Sequence, residues 1–298
     1  MLKQYKLKNY KFTLIFLVAA LTILGILLIG SAQPDVQKKQ ILGFAAGLVI
    51  MLIVSVIDYS FILKFSWLIY LFMVGILALV RLMGDSSGGA QRWFEIGSFR
   101  FQPSELAKIL LILFFAYYFF KHEEKINTPR VLLGSFVLAG IPLYLIVKQP
   151  DLSTTIVTAL IFAAMLFVAG ISYKLVIGVL AVSIPSFFVV MSLVIQGNFP
   201  LLQGFQSNRI MAWLYPDDYP DLAYQQQNSI MAIGSGQLWG KGLNNTDVTS
   251  VKNGNFILES QTDFIFAVAG EELGFIGTAV IIILLLFITI ECILIARK

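Results

Sequence analysis

Apolar residues in this chain fall in long unbroken runs rather than in the short-period pattern of a soluble core. A hydrocarbon layer ~30 Å thick needs about 20 helical residues to cross it. Runs of that order cover residues 12–31, 41–57, 61–82, 104–120, 131–147, 152–170, 175–196 and 263–295. In lipid every backbone polar group must be satisfied within the segment, so each run is predicted to be a helix. The pattern predicts an all-α fold: a polytopic membrane helix bundle of about eight transmembrane helices, one domain over 1–298, with a long extracytoplasmic loop before the last helix. Gly43 and Gly47 form a small-xxx-small pair on the second span and read as a helix-packing face.

Two polar segments interrupt the rhythm. One, 84–103, contains Gly88, Gly89, Gln91, Arg92, Trp93 and Gln102. The other, 197–262, is 66 residues long and carries Trp213, Tyr215, Tyr219, Tyr224 and Trp239 together with apolar stretches such as 230–233. Connections longer than about 15 residues are usually functional or disordered. Trp and Tyr favour the membrane–water interface, so the long segment reads as an ordered surface element.

Composition narrows the class. Apolar residues make up 58%, charged residues 13%, and mean hydropathy is +0.85; soluble domains average about 25% charged. A soluble enzyme, a disordered chain and a nucleic-acid binder are excluded together. The net charge of +4 matters through where the basic residues lie. Lys3, Lys6, Lys8 and Lys11 precede the first span and place the N-terminus in the cytoplasm. Alternating from there puts Lys121, Lys125, Arg130, Lys174, Arg297 and Lys298 inside, with both termini cytoplasmic; Lys38 and Lys39, in the first outside loop, run against the rule. A single cysteine, Cys292, allows no intrachain disulfide. With His122 as the one histidine, a thiolate–imidazole metal site is not expected. The first apolar run is full length and lacks a small-residue cleavage site, so no cleavable signal peptide is expected.

Ionisable groups at membrane depth cost at least ~2.5 kcal/mol each and mark function. Four places stand out. In the stretch 102–108, Pro103 suits a first helical turn, and Glu105 and Lys108 share a face. They fit either a self-neutralising pair or a cation held for a lipid phosphate. In 148–155, Asp151 precedes a helix and is suited to cap it. Ser260 and Asp263 resemble a capping box opening the last span; alternatively Asp263, bordering hydrocarbon, is placed to take a proton from a substrate hydroxyl. Glu271 and Glu272 lie about 12–14 Å further along at ~1.5 Å per residue, facing different directions. Arg92, Lys108, Arg209, Lys241, Asp151 and Asp263 are all expected on the outer side. Cations for a diphosphate beside a carboxylate for a hydroxyl suggest group transfer from a lipid-linked donor, whereas a channel or pump would string its charges across the midplane.

The motifs 89–94 (Gly-Ala-Gln-Arg-Trp-Phe) and 101–108 (Phe-Gln-Pro-Ser-Glu-Leu-Ala-Lys) resemble the signature of the SEDS family, the RodA and FtsW proteins of bacterial shape and division. Gln149-Pro150-Asp151-Leu152 is similar to its second motif. The stretch 232–236 with Gly240-Lys241-Gly242 is similar to a third, and Thr262-Asp263-Phe264 with Glu271-Glu272-Leu273-Gly274 to a fourth. The resemblance covers the whole chain. It implies a peptidoglycan glycosyltransferase of the bacterial cytoplasmic membrane that polymerises lipid II, works with a class B penicillin-binding protein, and serves elongation, division or sporulation. It implies Asp263 as the aspartate essential for catalysis, a functional role for Trp93, and Glu105, Lys108 and Asp151 lining a polar central cavity, with Gln102 of the same motif and Lys241 among the expected substrate-binding residues. Ser153, Gln237 and Gln261 depart from the family pattern. The family's ten spans and late Ser-Tyr-Gly-Gly-like segment are not matched, so the last two family helices are expected to be absent.

The expected chemistry has Asp263 deprotonating the acceptor's 4-hydroxyl while Lys108, Arg209 and Arg92 meet the departing diphosphate. Trp93 packs against lipid or sugar. A divalent cation, Mg or Mn, can share the charge, but no carboxylate cluster demands one. The rival readings are a lipid II flippase, which needs inverted repeats that the sequence does not display, and an inactive scaffold for a penicillin-binding protein.

Overall fold

The computed structural model describes residues 11–297 apart from 88–89, 97–98, 150, 198–203, 247–249, 251–252 and 255. Lys3, Lys6, Lys8, Gly88, Gly89, Pro150 and Lys298 lie outside the described residues. The chain divides into two compact units, 57–189 and 1–56 with 190–298.

In the unit 57–189, a short helix α3 (Tyr59–Leu63) leads into α4 (Ser66–Met83), α5 (Pro103–Lys121), α6 (Pro129–Val147) and α7 (Leu152–Val168). Each helix buries one stripe at helical spacing: Tyr70, Met73 and Leu77 on α4; Ala107, Leu111, Phe114 and Phe115 on α5; Ala139 and Ile146 on α6; Phe162 and Leu166 on α7. The opposite faces stay apolar and exposed, as lipid contact requires. Hydroxyls inside find carbonyl partners: that of Tyr70 donates to the Leu138 carbonyl at 2.9 Å, and that of Thr158 to Thr154 O at 2.7 Å. Pro103 and Pro129 occupy the first turns of α5 and α6, where no amide is missed.

The polar segment 84–103, to which the sequence assigns no element, forms a three-stranded antiparallel sheet of β1 (Asp85–Ser87), β2 (Ala90–Ile96) and β3 (Phe99–Phe101). Phe94 pairs with Phe101 and Glu95 with Arg100, and Arg100 Nε reaches Glu95 Oε1 at 2.6 Å. At the other end of this unit, Asn127 donates to Gly170 O at 3.1 Å and accepts from the Ser172 amide at 2.7 Å. The turn after α5 and the turn after α7 therefore share one end, as the alternation of Lys121, Lys125, Arg130 and Lys174 requires. α8 (Tyr173–Ile195) follows.

The other unit holds α1 (Phe12–Ala32), α2 (Pro34–Val56), α9 (Gly204–Leu214), α10 (Pro220–Ser235) and α11 (Ile265–Ala296). Among the described residues seven helices are long and apolar enough to cross a membrane, and α7 is a shorter apolar helix of 17 residues. The protein is an integral membrane protein.

Two sequence expectations change here. α2 begins at Pro34, not near 41, because Pro34 suits the start of a helix; Lys38 and Lys39 are thus helical rather than in a loop. Gly43 and Gly47 do not pack against another helix among the described residues, since α2 buries none of its residues there and a Cβ at either glycine would meet nothing within 4 Å. The close glycine contact lies elsewhere. Gly236 and Gly240 abut Gly270, Glu272 and Gly274: a Cβ on Gly236 would strike Gly270 O, and one on Gly240 would strike Glu272 O. A small-xxx-small spacing shows that a backbone can be approached, and the neighbouring elements decide whether it is.

Candidate active site

In the unit 57–189 the candidate residues converge on Asp151. It caps α7, accepting from the Thr154 amide through Oδ1 at 3.0 Å. Its Oδ2 accepts from Gln102 Nε2 at 3.1 Å and lies 3.6 Å from Arg92 Nη1. Gln102 also donates to Ser104 Oγ at 2.9 Å. One buried carboxylate therefore ties β2, the start of α5 and the start of α7 together. Arg92 Nε is buried and makes no hydrogen bond among the described residues. Next to it on β2, Trp93 is half-buried. Glu105 and Lys108 form the expected pair at 2.9 Å, with the Glu105 side chain exposed and that of Lys108 mostly covered. Replacing Asp151 by Ala removes a cap and strands Arg92; the expected cost is about 1–3 kcal/mol, read as a lowered melting temperature in detergent.

Gln149 stands out in the sequence only as part of the second motif. It is fully buried, and its Nε2 donates to Leu77 O at 3.2 Å, joining the end of α6 to α4. The signal was an amide beside an apolar run, overlooked because amides are neutral.

In the unit 1–56 with 190–298, α11 breaks at Gly274, whose φ of 66° and ψ of −165° lie outside the helical range. Such a break removes the bonds from amides 275 and 276 to carbonyls 271 and 272. The segment 237–242 supplies all four partners. Lys241 N donates to Glu271 O at 2.9 Å and Gly242 N to Glu272 O at 3.0 Å; Phe275 N donates to Gln237 O at 2.8 Å and Ile276 N to Leu238 O at 3.2 Å. The side chains reinforce the splice. Lys241 Nζ lies 2.7 Å from Glu271 Oε1, and Ser31 Oγ, on α1, donates to Glu272 Oε1 at 2.6 Å. Both carboxylates are only 2% exposed. Ser31 also accepts from the Asn244 amide at 3.1 Å.

Asp263 behaves differently from the other acids. The capping box with Ser260 does not form, because α11 starts at Ile265 after Phe264 and no side chain caps it. Glu259 organises the preceding turn instead, its carbonyl accepting from the Thr262 amide at 3.1 Å and its carboxylate from Gln261 at 2.8 Å. Asp263 is left exposed, without hydrogen bond or ion pair among the described residues. Arg209 is exposed on α9. No three His, Cys, Asp or Glu side chains gather to hold a metal ion among the described residues.

The structure thus joins Arg92, Gln102 and Asp151 in one cluster with Glu105 and Lys108 on the same helix start, and joins Lys241 to Glu271 in the other unit. A profile of the FtsW/RodA/SpoVE family of cell cycle proteins matches residues 3–298. The chain belongs to that family. Relatives in the FtsW/RodA/SpoVE family include the probable peptidoglycan glycosyltransferase FtsW of Haemophilus ducreyi, 31% identical over 97% of this chain and 72% of its own length. The peptidoglycan glycosyltransferase MrdB of Escherichia coli K12 is 34% identical over 96% of this chain and 75% of its own. Among solved structures, a chain from a peptidoglycan synthase complex coordinating polymerization and crosslinking matches with a TM-score of 0.75 at 26% identity, over 95% of this chain and 77% of that one. The rod shape determining protein RodA of Thermus thermophilus matches at 0.62 and 25% identity, over 95% and 74%.

Proposed function

We infer that this chain is a peptidoglycan glycosyltransferase, polymerising lipid II at the outer face of the bacterial cytoplasmic membrane. Its family and the names of its relatives support the activity. The observation that carries the site assignment is the state of the acids. Asp151, Glu105, Glu271 and Glu272 each have a lone pair committed to a cation or donor. Among the described residues Asp263 alone of the five meets none, and a general base needs an open lone pair.

In this reading Asp263 takes the proton from the acceptor glucosamine 4-hydroxyl. The freed oxygen forms a bond to the donor's anomeric carbon as the bond from that carbon to the diphosphate breaks. Undecaprenyl diphosphate leaves with the bonding pair, and preorganised cations meet its charge; Lys108, Arg209 and Arg92 are assigned that work. Trp93, half-buried beside Arg92, offers an aromatic surface to sugar or lipid. A divalent cation, Mg or Mn, would share the charge of the diphosphate in this reading. The reading includes a class B penicillin-binding protein as partner, supported by the likeness to a synthase complex, and cytoplasmic termini, supported by the basic N-terminal residues.

The test is polymerisation of lipid II by the purified protein in detergent, where flipping across a bilayer cannot be the readout. Glycan strands support the reading, and their absence with an intact, monodisperse protein refutes it. In the same assay Lys108→Met is expected to lower kcat/KM at least about tenfold, in line with loss of a cation facing a leaving diphosphate. Its melting temperature should barely move, since an i,i+3 pair with an exposed partner is worth about 0.5 kcal/mol or less.

A further inference from the structure

We propose that Lys241 and Glu271 are positioning residues that aim Asp263, rather than Lys241 being a cation for the substrate. The proposal rests on Asp263 being the base. Lys241 lies in a segment whose backbone completes a broken helix, and its ammonium is spent on a carboxylate that is 2% exposed. A charge so buried needs its partner: removing one member leaves the other uncompensated. The pair therefore locks 237–242 into the gap at Gly274, and this sets the direction of the short helical stretch 265–273.

Asp263 stands in the turn that leads into the far end of that stretch, two residues before Ile265 and eight before Glu271. The near end is gripped by the same helix that leads into the lock. Asn228 on α10 donates to Phe256 O at 3.0 Å, and Ala232 packs with Ile257, Ala267 and Phe264. α10 and its following turn thus hold the base-bearing segment at both ends. With Asp263 itself making no bond among the described residues, its aim depends on this clamp. Glu272, bonded to Ser31, ties the same stretch to α1.

The experiment compares Lys241→Met, Glu271→Gln, Lys241→Arg and the exchanged pair Lys241→Glu/Glu271→Lys with the parent protein, reading kcat and KM for lipid II. Misplacement of a reacting group by ~1 Å can cost about 10²-fold, so Lys241→Met and Glu271→Gln should each lower kcat by about that factor, with KM unchanged. Lys241→Arg should stay close to the parent, and the exchanged pair should recover most of the activity lost by either single change. A raised KM in Lys241→Met alone, with Glu271→Gln normal, would overturn the proposal and return Lys241 to the substrate. A second readout is independent of turnover. Hydrogen exchange at amides 241, 242, 275 and 276 and through 263–269 should quicken in Glu271→Gln; unchanged exchange there also overturns the proposal. A parent that makes no glycan refutes the polymerase reading, while the exchange result still decides whether the lock exists.

Discussion

Asp263→Asn is expected to abolish glycan polymerisation, with the rate falling by about 10²–10⁴-fold, the usual worth of a positioned general base. The amide keeps the size of the carboxylate and loses its basicity. Because Asp263 is exposed and bonded to nothing among the described residues, the substitution should leave the melting temperature unchanged. That separation is the informative part. Asp151→Asn would instead disturb a buried carboxylate that joins Arg92, Gln102 and the α7 cap, so activity and stability would fall together. Polymerisation assays paired with thermal melts distinguish the two. Parental rates in a folded Asp263→Asn protein would remove Asp263 from the chemistry.

The largest loss of stability is expected from Gly274→Ala. The backbone there, at φ 66° and ψ −165°, lies in a region essentially reserved for glycine, and occupying it otherwise costs about 1–3 kcal/mol. The added Cβ would run into the Gly240 amide nitrogen and lie 2.7 Å from Leu238 O. Backbone cannot swing aside as a side chain does, so overpacking adds about 1–3 kcal/mol more. Together these predict about 2–6 kcal/mol, with the four hydrogen bonds between 237–242 and 271–276 the first to go. Gly43→Ala is the matched control. Nothing lies within 4 Å of its added Cβ, and the change is expected to be neutral or to stabilise α2 by about 0.5–1 kcal/mol, since alanine is the better helix former. Melting in detergent and exchange at amides 275 and 276 read both.

Much of the architecture could be read from the chain. The apolar runs predicted the spans to within a few residues except at α2, where Pro34 starts the helix earlier, at 61–82, which divides into α3 and α4, and at the last span, which breaks at Gly274. The three-stranded sheet was missed because 84–103 is short, rich in glycine and lacks clean alternation, so its pairing depends on β2 packing against α4 and α5. The pairing of Glu105 with Lys108 was legible because helical spacing alone makes them neighbours. The cap by Asp151 was legible for the same local reason, but its links to Gln102 and Arg92, 49 and 59 positions earlier in sequence, were not. The capping box at Ser260 failed because the turn organised by Glu259 carries the helix start beyond Asp263.

Sequence alone determined that this is a membrane helix bundle, which residues are ionisable at its margins, and the order of motifs that places the chain in its family. These follow from the hydrophobicity of about 20-residue windows and from local spacing. Tertiary structure decided which of those charges are already spent. Glu271 meets Lys241 across 30 residues and Glu272 meets Ser31 across 241, and no local rule links them. Whether a carboxylate keeps an open lone pair depends on what the rest of the chain brings to it, and here that separates Asp263 from its neighbours.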